Sequence, residues 1–151
     1  MTAPEPAVLL GLRVLDLSTR LSGAFCARQL ADLGADVALV EAPEGHALRS
    51  EPPFLHDEPG IERSLLHAYA NFNKRSICLP EDAPERHALI ERADVVIVSS
   101  ADALEAVRPL VRPEAIVVAV TPHGATGPDA RLAGNDLTAY ARSGWAALNG
   151  L

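Results

Sequence analysis

The sequence predicts an α/β fold, a Rossmann-like parallel sheet with flanking helices. Three observations point there. Short runs dense in Val, Ile and Leu recur at residues 14–17, 37–40, 94–99 and 115–120, as expected of strands buried on both faces. Segments of helical composition separate them, the alternation that builds a parallel sheet. Residues 12–41 alone read strand, loop, helix, strand. Such a βαβ unit should cross over right-handed, with its loops facing a ligand at the carboxyl ends of the strands.

Each element has a local reason. Residues 1–10, with Pro4 and Pro6, read as a loosely held tail ahead of a single α/β domain over 11–151. Val14, Leu15 and Leu17 mark the first strand. Ser18 or Ser22 can cap the helix that follows, and residues 24–33 contain neither Gly nor Pro. Gly34 stands where a helix C-cap favours positive φ. The second strand, 37–40, is closed by Glu41 and broken by Pro43. Residues 42–60, interrupted by Pro43, Pro52, Pro53 and Pro59, form a long connection of the kind that is usually functional or mobile. Ile61, Leu65, Ala68 and Tyr69 have helical spacing. A third strand is expected at 75–79, stopped by Pro80. A helix follows at 85–92 with Leu89 and Ile90 inward, then another at 101–107, ending near Pro109. After the Gly/Pro-punctuated residues 122–134, Asn135 or Asp136 caps a last helix on which Leu137, Tyr140, Ala141 and Trp145 recur.

Composition narrows the function classes. A chain of 151 residues with 48% hydrophobic and 22% charged residues can bury one core and is not disordered by composition. A net charge of −7 argues against nucleic-acid binding. There is no basic leader before an apolar stretch and no run of membrane-spanning length, so a cytoplasmic location without membrane partners is expected. Cys26 and Cys78 are expected to be small buried hydrophobes. His46, His56, His67, His87 and His123 are scattered without metal-ligand spacing and read as surface or capping residues.

Dinucleotide binding is the first chemistry such a βαβ unit suggests, and Glu41 lies about where a ribose-binding acid would sit. The first turn, however, offers only Gly23 where a pyrophosphate loop needs three glycines. A phosphate-accepting receiver domain would need an acidic cluster, and Asp16 stands alone in its strand. Asn73, Lys74, Arg75 and Ser76 are more suggestive. Two cations beside an amide at the start of a strand can hold phosphates through charge-assisted hydrogen bonds, or can simply form a solvated turn.

At this point a family resemblance emerges. Gly11-Leu-Arg-Val-Leu-Asp-Leu-Ser18, Leu30-Ala-Asp-Leu-Gly-Ala-Asp-Val37 and Val40-Glu41 resemble the opening of the family III CoA-transferases, which include formyl-CoA, carnitine and bile-acid CoA-transferases and the α-methylacyl-CoA racemases. The likeness continues in order through Asn73-Lys-Arg-Ser-Ile77, Ala93-Asp-Val-Val-Ile97, Gly124-Ala-Thr-Gly-Pro128, Asn135-Asp136, Ser143-Gly144 and Asn149-Gly150. No block is specific alone; the ordered series is.

The resemblance implies a CoA or acyl-CoA substrate, no covalently bound cofactor, and CoA contacts from Arg20, Asn73, Lys74, Arg75, Leu79, Ser99 and Ser100. It also implies departures. Leu21 replaces a glutamine that reaches the acyl end, Ala38-Leu39-Val40-Glu41 stands where the family has Ile-Lys-Val-Glu and so loses a lysine, and Val107 replaces an arginine. Residues 98–103 lack the family's aromatic platform. The family's nucleophilic aspartate lies downstream of the last matching block, and the racemase histidine corresponds to Asn135. Three readings follow. The first is the amino-terminal CoA-nucleotide-binding half-domain of a transferase, inactive alone and cut short of its aspartate. The second is a degenerate, non-catalytic binding or assembly module. The third is an unrelated small nucleotide binder. A half-domain should need a homo-oligomer or a partner chain to cover its open sheet edge.

Overall fold

The computed structural model describes residues 7–150. Five strands, β1 (Arg13–Asp16), β2 (Asp36–Glu41), β3 (Arg75–Cys78), β4 (Val95–Val98) and β5 (Ile116–Ala119), form one sheet in the order β3-β2-β1-β4-β5. Every pairing is parallel. The helices are α1 (Leu21–Asp32), α2 (Leu65–Ala70), α3 (Pro84–Arg92), α4 (Ala101–Val107), α5 (Asp136–Arg142) and α6 (Trp145–Leu148). The expected α/β class and the strand positions stand, with no strand end displaced by more than one residue.

Two apolar layers sandwich the sheet. One joins Val14, Val37 and Ile97 to Ala27 and Ala31 of α1. The other joins Leu15, Val96 and Val98 to Ile90 of α3 and Val107 of α4. Alternate residues of one strand face opposite layers, so β4 reads as a continuous apolar run and is buried throughout.

Helix α1 ends where the sequence predicts. Gly34 has φ +94°, the Gly34 amide donates to Ala31 O, and the Ala35 amide donates to Leu30 O. This is a Schellman cap, which turns the chain straight into β2. The start of α1 differs. Neither Ser18 nor Ser22 caps it; the N-cap is Arg20, without a side-chain cap. Asn135 does cap α5, in a reciprocal pair with Thr138. The helix expected to run on through Trp145 instead breaks at Gly144, φ +85°.

Cysteine burial is corrected. Cys26 is half-buried and Cys78, on edge strand β3, is exposed, because that edge has no covering strand. Much of the expected tail, residues 1–6, lies outside the described residues. Among the described residues no helix is long and apolar enough to cross a membrane. On α5 and α6 Leu137, Trp145 and Leu148 are 74%, 62% and 83% exposed.

Candidate functional site

The sheet order reverses direction between β1 and β4, so the loops leaving their carboxyl ends part there and open a crevice. Thr19 donates its amide to Ser99 Oγ at 3.0 Å across the gap. Gly23 lets α1 come close: a Cβ there would lie 2.4 Å from Ser18 Cβ and 3.2 Å from Ser99 Oγ. The glycine that is too little for a phosphate loop is a packing glycine. Beyond the crevice opens a cleft of about 1040 Å³, lined by Arg20, Leu21, Phe25, Leu66 and Tyr69 on one side and by Pro122 and Leu137 on the other.

The residues expected to bind CoA do not form one cluster. Arg20, Ser99 and Ser100 sit at the carboxyl ends of β1 and β4. Arg20 donates to Gly134 O at 2.8 Å, and Ser100 caps α4 through Ala103 N. Leu79 lies just past the carboxyl end of β3, its amide bonded to Glu41 O. Asn73 and Arg75 lie at the opposite end of β3. Asn73, at φ +65°, donates to Asp32, while exposed Arg75 pairs with Asp36.

Lys74 requires a correction. As a phosphate-holding partner of Arg75 it would need a free ammonium, but its side chain is 1% exposed. Its nitrogen donates to Asp16 Oδ2, Ala24 O and Asn71 Oδ1, each at 2.7 Å. An ammonium has three donors, so none remains. Burial draws the Lys74 pKa below the usual lysine value, with Asp16 opposing that shift. Lys74 is the only lysine of the chain. Its compact tetrahedral head suits three acceptors around a point, which a planar guanidinium does not. Asp16, which stands alone in the sequence, is the other half of this pair; its Oδ1 also accepts the Ser18 amide and so shapes the crevice loop.

A second buried knot sits at the end of β2. Glu41 is 4% exposed and accepts from Arg49 Nε at 2.6 Å, Arg49 Nη2 at 2.8 Å and the His46 amide at 2.9 Å. Ser76 donates to it as well. Glu41 thus holds the long 42–60 connection against the sheet and is not a free ribose ligand. His46 caps the 3-10 turn Ala47–Ser50 as expected, but it is buried. Its Nδ1 accepts from Leu48 N, so Nε2 carries the proton toward Ser18 O at 2.9 Å.

These environments fix an acid response. Hydrogen bonds from Arg49 pull the Glu41 pKa down to about 2 from 4.5. Burial lowers both His46 and His67 below 6.5. All three groups bind fewer protons folded than unfolded, so stability is complete above pH 6.5 and falls as the pH drops. Loss is expected to begin near pH 6.5 through the histidines. A steeper loss, about 3 kcal/mol from Glu41, should follow between pH 4.5 and 2. Denaturant midpoints measured from pH 7.5 to 2 check this, and Glu41→Gln should make the lower-window loss shallower without removing the part due to Asp94, which the Arg13 hydrogen bonds hold well below the usual carboxylate range.

Comparison with known proteins agrees with this architecture. The family model described as CoA-transferase family III matches residues 9–151. A succinate–glutarate CoA-transferase of Agrobacterium fabrum is 38% identical over 94% of this chain and 39% of its own length. A succinyl-CoA:(R)-benzylsuccinate CoA-transferase subunit, BbsE, of Thauera aromatica is 36% identical over 92% of this chain and 36% of its own length. Among solved structures, a CAIB/BAIF family protein from Brucella suis superposes with a TM-score of 0.78 at 34% identity, covering 91% of this chain and 39% of that one. The chain therefore spans about two fifths of the length of these relatives. A match along nearly the whole chain, on the same parallel sheet, makes it a member of CoA-transferase family III.

Proposed function

We propose that this chain is the CoA-nucleotide-binding module of a family III CoA-transferase, which moves CoA from an acyl-CoA to a carboxylic acid through an aspartyl intermediate. The observation that carries the reading is the switch-point cleft at the carboxyl ends of β1 and β4 in a chain of this family. The nucleotide end of CoA lies along the open edge of β3. From Arg75 to Leu79 that edge spans roughly 13 Å at about 3.3 Å per residue, within the reach of extended CoA. Its thioester end enters the cleft past Arg20, with Ser99 and Ser100 on the neighbouring loop.

Energetics decide which cation serves phosphate. The Arg75–Asp36 pair is 69% and 52% exposed, and exposed pairs are worth only about 0–1 kcal/mol, so exchange for phosphate costs little. Releasing Lys74 would strand Asp16 in the core. Arg75 is therefore the phosphate ligand, with Asn73 beside it. Neither Asp129 nor Asp136 is proposed as the nucleophilic carboxylate. Asp129 is engaged by Arg142 and Asp136 lies in the first turn of α5. The exposed apolar side chains of α6, Trp145 and Leu148, are covered by a second copy or a partner chain.

Calorimetry with CoA at low and high salt tests the reading. Weak, about millimolar, salt-sensitive binding is expected, with Arg75→Ala weakening it at least about tenfold for the loss of one charge-assisted contact. Binding indifferent to both salt and Arg75→Ala would put the pocket elsewhere. A second reading, a non-catalytic assembly module, is favoured by the saturation of Lys74 inside the fold. Absence of CoA binding in the wild type would select it.

A further inference from the structure

The chemistry of the cleft wall specifies an acyl class. Leu21 and Phe25 are one turn apart on α1 and share a face. Phe25 stacks on Tyr69 of α2 with ring planes 13° apart and centroids 6.3 Å apart. Arg28 fixes that ring from behind, its guanidinium 4.2 Å from the Tyr69 centroid while donating to Tyr69 O at 2.7 Å. The aromatic wall is held in place before any ligand arrives. Phe25 and Tyr69 are nonetheless 40% and 56% exposed, leaving apolar surface for a guest to cover.

The rim repels a second negative charge. Of the charged side chains lining the cleft, one is a cation, Arg20, and two are anions, Glu51 and Asp136. Among the described residues neither anion is in an ion pair. The electropositive features, Arg20 and the first turn of α1, lie together at the loop end, where a thioester carbonyl needs a partner. From there the wall runs apolar through Leu21 and Phe25 to Leu66 and Tyr69.

We propose that the cleft takes the acyl part of a thioester whose chain ends in an aryl or comparably bulky hydrocarbon group, and discriminates against a chain ending in a carboxylate. The acyl carbonyl lies by Arg20, and the ring covers Phe25 and Tyr69. This rests on the CoA-thioester reading above, and the test separates the two.

The probes are the phenylacetyl and succinyl thioesters of N-acetylcysteamine, which lack the nucleotide, and those of CoA. Titrated into the full chain and followed by side-chain NMR, the phenylacetyl N-acetylcysteamine thioester should shift Leu21, Phe25, Leu66 and Tyr69. It should bind about tenfold more tightly than the succinyl one, as expected for covering one ring's apolar surface. Phe25→Ser should remove the preference. Leu21→Lys, at an exposed position that leaves the fold intact, should narrow the gap by strengthening the succinyl probe. Equal or tighter succinyl binding, or phenylacetyl binding that leaves those resonances unmoved, would overturn the proposal, as would no binding of either probe. CoA that fails to bind while the short aryl thioester does would overturn only the nucleotide reading. CoA that binds without any aryl preference would overturn only this one.

Discussion

Replacing Lys74 with methionine is expected to destabilise the chain by about 3–5 kcal/mol, the cost of stranding a buried partner charge. The pair is closed on both sides: the Lys74 and Asp16 side chains are 1% and 0% exposed. Removing the ammonium leaves Asp16 facing the core, takes a second donor from Ala24 O and deprives Asn71 Oδ1 of its ammonium partner. Lys74→Arg should not rescue, since its planar head cannot address three acceptors grouped around one point. The double variant Asp16→Asn, Lys74→Met should recover most of the loss, because it removes the charge as well as its partner. Urea denaturation of the three variants and wild type checks this. Lys74→Met as stable as wild type but weaker for CoA would mean that the lysine faces ligand after all.

Gly23→Val is expected to cost about 2–3 kcal/mol or more, the range for overpacking a closed core. The first atom of the new side chain would sit 2.4 Å from Ser18 Cβ and 2.9 Å from Ser18 Oγ. Ser18 and Ser99 are both buried; the Ser18 amide is fixed by Asp16 Oδ1 and Ser99 Oγ accepts the Thr19 amide, so the loop carrying both has little room to yield. Gly23→Ala should fall between, its clash partly offset by roughly 1 kcal/mol of helix propensity. Because α1 must then back away from β4, ligand affinity should fall with stability in both. Thermal unfolding of the pair gives the ranking; Gly23→Ala more stable than wild type would remove the close approach from the account.

The sheet was readable because four of its strands are local apolar runs and β3 alternates, each with a nearby punctuation signal such as Gly34 ahead of β2, Pro80 after β3 and Pro122 after β5. Those signals act over a few residues and need no tertiary information. The site was much less readable, since its key pairings span distance. Lys74 and Asp16 are 58 residues apart, and nothing near either marks it as buried. A solvated Asn-Lys-Arg turn and a turn with one inward lysine have the same local sequence. The singular lysine in an arginine-rich chain was the available hint. Glu41 was noticed for its position after β2, but its knot with Arg49, His46 and Ser76 depends on how the proline-rich connection folds back. The break at Gly144 was missed because Trp145 continues the helical spacing across a glycine that takes positive φ.

The most direct test of where CoA sits is the amide footprint of CoA on the isotopically labelled chain. Perturbations are expected at Arg75 and Leu79 along the β3 edge and at Arg20, Ser99 and Ser100 beside the cleft, with the Lys74 ammonium signal unmoved. Perturbations confined to the amino-terminal edge around Arg13, Asp94 and Arg112, or a Lys74 signal that moves with saturation, would contradict this placement.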